Sequence, residues 1–258
     1  MNSAGNLVAL NTIVRREIVR IMRIWTQTLI PPAITMTLYF VIFGKLIGSR
    51  IGTIEGGFTY MQYIVPGLVM MSIITNSYGN ISSSFFGAKF SRAVEEMLVS
   101  PMPNWVILLG YVTGAVTRGV IVGALVLLIA LFFTHLHVVH PMITLASVIL
   151  GATIFSLAGF VNAVYAKKFD DIALVPTFVL TPLTYLGGVF YSVSMLGEPW
   201  RSISMVNPIL YMVNAFRFGV LGVSDVQIGV AFAVMLAFVT GLSIVALQLL
   251  KRGVGLRS

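Results

Sequence analysis

No cysteine occurs among the 258 residues, which excludes disulfides, thiolate nucleophiles and cysteine-ligated zinc or iron-sulfur centres. Charge is scarce as well: 9% of the residues are charged, against about a quarter in ordinary soluble domains. The eight acids are Glu17, Glu55, Glu95, Glu96, Asp170, Asp171, Glu198 and Asp225, and none falls inside a long apolar run. Ion-driven carriers usually keep ionisable groups in the bilayer interior, so this placement argues against a carboxylate-driven secondary transporter. The phosphate-binding pattern G-x-x-x-x-G-K-[ST] is missing too, since the Gly44-Lys45 pair is followed by Leu46 in an apolar stretch; this chain binds no ATP by a P-loop. No acid-base pair or nucleophile-His-acid constellation sits in an apolar run, which removes the basis for a membrane enzyme. His135, His137 and His140 cluster in a short segment, but no acid joins them and their spacing fits no standard metal motif.

What is abundant is apolar surface. Hydrophobic residues make up 58% of the chain and the mean hydropathy is +0.98, values that define an all-α, polytopic membrane protein. The formal charge of +8 flanks apolar runs, as anionic lipid and the topology rule require, and implies no nucleic-acid partner. Six spans are predicted: Leu29 to Ile47, Met61 to Phe86, Trp105 to Phe133, Met142 to Ala166, Ile172 to Tyr191 and Ile228 to Leu250. The first is too long for a removable signal peptide and lacks a cleavage pattern. With the N-terminus inside, eleven bases (Arg15, Arg16, Arg20, Arg23, Lys89, Arg92, Lys167, Lys168, Lys251, Arg252, Arg257) fall on the cytoplasmic side and four (Lys45, Arg50, Arg201, Arg217) on the other. That asymmetry places both termini in the cytoplasm. A seventh crossing at Ile203 to Val223 would reverse the C-terminal bases, so residues 192–226 are expected to form a re-entrant pair of short helices in the outer leaflet. The whole chain, 1–258, reads as one domain.

Before the first span, Leu10, Val14, Ile18, Ile21 and Trp25 recur with helical spacing while Arg15, Arg16, Arg20 and Arg23 share another face. Residues 1–27 therefore predict an amphipathic helix lying on the membrane lipid. Span two carries Ser72, Asn76, Asn80 and Ser84 at four-residue steps on one face, a stripe that either joins helices or lines a polar route. Arg118 lies near the middle of span three, where a base must face protein, water or an anionic head group. Gly110, Gly114, Gly119 and Gly123 around it indicate close helix packing. In the loop of residues 87–104, Phe90, Val94 and Leu98 recur every four residues among Lys89, Arg92, Glu95 and Glu96, and Pro101 and Pro103 end the pattern. This short amphipathic helix either docks a cytoplasmic partner or rests on lipid. Pro176 and Pro182 are expected to kink span five.

These residues resemble a known family. The pattern Leu180, Leu183, Leu186, Gly187, Val189, Leu196, Gly197, Pro208, Ile209, Tyr211 and Arg217, together with the run Glu95 to Pro101, is similar to the signature of ABC-2 type transport permeases. The resemblance extends over essentially the whole chain. It implies a six-helix half-transporter in a bacterial inner membrane that pairs with a second copy and with two ATP-binding cassette subunits. This chain would bind no cofactor, and ATP and Mg would sit on the partner subunit. By the same resemblance Phe90, Val94, Glu95, Glu96, Leu98 and Pro101 belong to a coupling helix, and Gly187, Gly188, Tyr191, Pro208, Tyr211 and Arg217 to an outer gate. Ser72, Asn76, Asn80, Ser84 and Arg118 are the candidate pathway residues, and the substrate expected from an apolar dimer path is an amphiphile such as a lipid-linked glycan, a lipid or a hydrophobic drug. Direction, as export, rests on the resemblance alone. The competing expectation is a channel or secondary transporter that needs no ATPase.

Overall fold

A computed structural model describes residues 3–52 and 57–255; Glu55, one of the eight acids, and Arg257, one of the eleven cytoplasmic bases, lie outside the described residues. Among those described, the chain is helical and forms no strand. The helices are α1 (Ser3–Arg23), α2 (Trp25–Tyr39), α3 (Gly48–Ile51), α4 (Tyr60–Phe90), α5 (Ala93–Val99), α6 (Asn104–Ala130), α7 (Pro141–Tyr165), α8 (Phe169–Val175), α9 (Thr181–Leu186), α10 (Trp200–Val206), α11 (Pro208–Leu221) and α12 (Ile228–Arg252). Helix α2 continues into a π-helical stretch at Phe40–Ile47, and α8 and α9 are joined through another at Pro176–Leu180. Among the described residues, five helical segments are long and apolar enough to cross a membrane: Trp25–Gly44, Asn104–Ala130, Pro141–Tyr165, Phe169–Leu186 and Ile228–Arg252.

The second expected span, α4, is not among those five, and its position explains why. At 31 residues it is about 46 Å long, and 20 of its residues are buried. It packs chiefly on α6 and α7. A helix surrounded by protein can carry Ser and Asn, whereas a perimeter helix such as α12, with five of its 25 residues buried, must be apolar to meet lipid. Thr59 caps α4 reciprocally with Gln62, satisfying two orphan donors at its start.

Span five breaks where its prolines require. Pro176 has no N–H to offer the carbonyl of Ile172, and the Asn162 side chain donates to that carbonyl instead, at 3.2 Å. The Thr181 hydroxyl in turn donates to the Pro176 carbonyl at 2.9 Å. Beyond span five, residues 192–226 contain a 3-10 turn (Val193–Met195) and two short helices, α10 and α11, parted at Asn207. Asn207 accepts from the Ile209 N–H at 3.0 Å and precedes Pro208, so it ends one helix and starts the next.

The N-terminal helix differs from its sequence expectation. Its buried residues are Ile13, Glu17 and Ile21, and it packs on α6. Of the expected apolar face only Ile21 is buried, while Ile18 and Trp25 are exposed. Trp25 itself begins α2, after a break at Ile24. The correction has a physical cause: glycines on α6 let one side of α1 approach closely, and that side carries an acid that periodicity alone assigns to water.

Candidate functional site

Three regions carry the polar chemistry of the bundle. At the end of α4, Ser91 and Arg92 form a turn, and Arg92 takes the left-handed conformation, φ 61°, as N-cap of α5. That residue swings the seven-residue α5 away from the line of α4. Val94 is fully buried in an apolar cluster with Phe85, Val106 and Ala163, and Leu98 packs partly against it. Two of the three members of the expected docking stripe therefore anchor α5 to the bundle. The exposed side is formed by Phe90, Arg92, Glu96, Val99 and Pro101, with Val99 at 88% and Phe90 at 69% exposure. Glu95 is half-buried. Lys89 braces this junction by donating to the carbonyls of Val164 and Ala166, at 2.6 and 2.7 Å, at the end of α7. Burial there holds its ammonium below the ordinary lysine range.

Because a non-glycine residue pays about 1–2 kcal/mol in the left-handed region, Arg92→Gly is expected to keep or slightly raise stability. Arg92→Ile should lower it by a similar amount, since a β-branched side chain tolerates this conformation worst. Thermal unfolding of the purified variants checks the order, and equal midpoints would contradict it.

The polar stripe of α4 meets charged side chains from two neighbours. The Arg118 Nη2 of α6 lies 3.4 Å from Asn76 Oδ1. The Arg20 Nη2 of α1 donates to Asn80 Oδ1 at 2.8 Å. The Ser84 hydroxyl donates to the Glu17 carboxylate at 2.7 Å. Glu17 also pairs with Arg20 at 3.0 Å and Arg16 at 3.7 Å, and Arg16 donates to the Tyr111 hydroxyl at 2.5 Å. Ser72 turns to its own helix, donating to Leu68 O, and the Asn76 amide also donates back along α4, to Ser72 O at 3.0 Å. Asn80 and Ser84 thus join α4 to the N-terminal helix. A side chain on Gly114 would place its Cβ 2.5 Å from the Glu17 Cβ, and one on Gly119 would collide with Ser77, which is the close packing expected of these glycines. Arg118 stands apart. No carboxylate lies within ion-pair distance of it among the described residues, and its buried Nε has no hydrogen-bond partner.

At the opposite end, Arg217 of α11 is fully buried. Its Nη2 donates to Gly188 O at 2.6 Å, its guanidinium lies 4.0 Å from the centre of the Tyr63 ring, and its Nη1 is 3.9 Å from Asp225. Gly188 reaches the turn with φ +70°. The Tyr191 hydroxyl donates to Tyr185 O and the Tyr211 hydroxyl to Met205 O; the latter bond pins α10 to the start of α11. Gly187 abuts Ile209 just after Pro208. The residues expected at an outer gate are therefore assembled into one end of the bundle. His140 stacks on Phe218 at 5.0 Å, and no group of metal-ligating side chains forms among the described residues.

Sequence reasoning missed several partners in these networks, Glu17, Tyr111, Tyr63 and Asp225, and the exposed Val99 on α5. One signal was available for Asp225, an acid eight residues after Arg217 in an otherwise apolar region. None was available for Glu17, which sits among Arg15, Arg16 and Arg20 on the chain.

The fold is a bundle of apolar helices packed around the buried α4, with the short helix α5 set off at the end of α4. The chain belongs to the ABC-2 type transporter family, which matches across residues 8–221. It is 57% identical to the inner membrane transport permease YadH of Escherichia coli K12 over 97% of this chain and 98% of that protein. It is 21% identical to nodulation protein J of Rhizobium leguminosarum bv. viciae over 83% of each.

Proposed function

We propose that this chain is the membrane-spanning subunit of an ATP-driven exporter of an amphiphile in a bacterial inner membrane. It works as two copies with two separate ATP-binding cassette subunits, which hold the ATP and Mg. The observation that carries this reading is α5, a short helix set off from α4 by Arg92, held inward by Val94 and showing Glu96 and Val99 outward. Family membership and the inner-membrane designation of the 57% identical relative support the assembly and the compartment. Adding α4 to the five apolar helices gives six crossings, and the base asymmetry puts both termini in the cytoplasm. On that topology α10 and α11 re-enter the outer leaflet, since helices of seven and 14 residues are too short to span about 30 Å of hydrocarbon.

The mechanism follows the connections. Closure of the ATPases pushes α5, and because Glu17, Arg20, Asn80 and Ser84 tie α1 to α4, both helices move together. Helix α4 carries the displacement to Tyr63, beside the buried Arg217. A two-fold axis between copies supplies the substrate path, since each copy presents the same surface to it.

Arg118, which has no carboxylate partner among the described residues, meets anionic head groups on that path. Arg118→Met is expected to leave expression and dimer formation intact while lowering ATP-dependent uptake of an anionic fluorescent lipid into inverted vesicles roughly tenfold more than that of a neutral one. Arg118→Lys should restore part of the difference, keeping the charge without the planar fork. Equal loss for both lipids, with a lower unfolding midpoint, would assign Arg118 to packing. Uptake by the permease in vesicles without ATPase or nucleotide would instead establish a channel or secondary carrier.

A further inference from the structure

Asp225 lies in the short connection between α11 and α12 and has no assigned role. Its carboxylate accepts from the Ser192 hydroxyl at 2.6 Å, from the Val193 N–H at 3.1 Å and from the Tyr63 hydroxyl at 3.4 Å. Its own N–H donates to Asn214 Oδ1 at 2.8 Å, which fixes the carboxylate over the end of α11. One side chain thus connects four stretches of chain: the start of α4, the segment that follows α9, α11 itself and the lead into α12. The contact with Arg217 is looser, 3.9 Å, and Arg217 Nη1 and Nε make no hydrogen bond. Asp225 therefore spends its strongest bonds on Ser192 and Val193, while its charge balances a guanidinium that has no other acid nearby among the described residues.

This knot borders a cleft of about 630 Å³ lined by Tyr63, Ser194, Arg217 and the stretch 222–228. Ser194 belongs to one wall and Asp225 to another, and the Ser192 and Val193 bonds hold those walls together. Gly222 at the end of α11 has φ +79°, so the connection departs from its helix at a residue with backbone freedom. A few bonds to one carboxylate, beside a cleft, can part and re-form at a small cost compared with unpacking helices.

We propose that Asp225 is the latch of the outer end: it holds the 192–194 segment against α11, and the path opens outward when that carboxylate lets go. Asp225 is a positioning residue in this role and touches no substrate. The proposal rests on the reading of this end as the external gate. When the latch parts, Arg217 keeps its bond to Gly188 O and its place over Tyr63, and the adjoining cleft, which it lines, admits water to the charge that Asp225 had balanced.

The absence of cysteine allows a clean test. Val193→Cys places a thiol at a buried position of the latch, 1% exposed, and Met195→Cys one at a 68% exposed position on the same segment. Both are labelled with a membrane-impermeant maleimide in intact cells and in detergent. In the presence of Asp225, Val193→Cys should react slowly and Met195→Cys quickly. Combining Val193→Cys with Asp225→Ala should speed its labelling roughly tenfold or more, with Asp225→Glu restoring most of the protection and Met195→Cys unaffected. Ala163→Cys, fully buried in the cluster that also holds Val94, serves as the control for general unfolding and should stay unreactive throughout. Asp225→Asn, which retains acceptor oxygen but loses charge, is the second variant should Asp225→Ala not accumulate, and it should accelerate labelling in the same direction. Unchanged protection of Val193→Cys in both variants would overturn the latch, as would parallel exposure of Ala163→Cys. If Met195→Cys reacts in detergent but not from outside the cell, the external-gate reading fails, and the detergent comparison at Val193 still decides whether the latch exists.

Discussion

Reversing Glu17 to lysine should release the N-terminal helix from the bundle and lower stability by about 3–5 kcal/mol, the range for leaving a buried charge without its partner. Glu17 is 1% exposed and is the acid shared by Arg16, Arg20 and Ser84. A lysine there would meet two arginines where it needs an acceptor, and Gly114 leaves it no room to turn away. Glu17→Gln, which still accepts from Ser84, should cost about 1–3 kcal/mol. Thermal unfolding of the detergent-purified chain, read by tryptophan fluorescence because Trp25 begins α2 immediately beyond the released helix, separates the two variants. Since α1 and α4 are proposed to move together, transport should fall in Glu17→Gln by more than its stability change predicts. A Glu17→Lys protein with the parent midpoint would show that α1 is held by something other than this cluster.

The second large effect is functional and leaves the fold alone. Glu96 and Val99 are exposed on α5, so Glu96→Lys combined with Val99→Asp should change the unfolding midpoint little. If this face enters a groove on an ATPase, the double variant should lose ATP-dependent transport at least roughly tenfold, as charge mismatch and a desolvated carboxylate at such a contact cost several kcal/mol. Leu98→Asp provides the contrast: Leu98 packs inward, so its carboxylate should destabilise the junction itself. Parent-level transport in the double variant would remove this face from coupling. Loss of stability in the double variant and not in Leu98→Asp would reverse the assignment of the two faces.

Composition and periodicity carried much of the architecture because lipid imposes them. Apolar runs close to those of α6, α7 and α12 follow directly from the length of chain needed to cross hydrocarbon, and the proline-broken span five follows from two missing backbone donors. Helix α4 was legible by its length and its position between charged loops, even though its polar residues dilute its apolar character; Ser72, Ser77, Asn80 and Ser82 among them face protein. The break between α10 and α11 was legible through Asn207-Pro208, which no continuous helix would place at its centre. What remained hidden depended on contacts between distant segments. Nothing local distinguishes Glu17 from a solvated acid in a basic helix, because its burial comes from Gly114, about a hundred residues away in sequence. Val94 and Leu98 looked like a docking stripe because an apolar face reads the same whether it meets its own bundle or a partner. Arg217 carried the opposite problem: its charge suggested an aqueous end, while Tyr63 and Asp225, which make its burial possible, lie on other elements.

Whether this chain is one half of an ATP-driven machine is tested most directly by the composition of the complex it forms. Mild detergent extraction from the native membrane, capture through a tag on the chain and native mass measurement would count the subunits. Two copies of this chain with two copies of one cassette ATPase, the ATPase being lost when Glu96→Lys and Val99→Asp are combined, is the predicted result. A chain that emerges without any ATPase, and that still moves an amphiphile across vesicles lacking nucleotide, would contradict it.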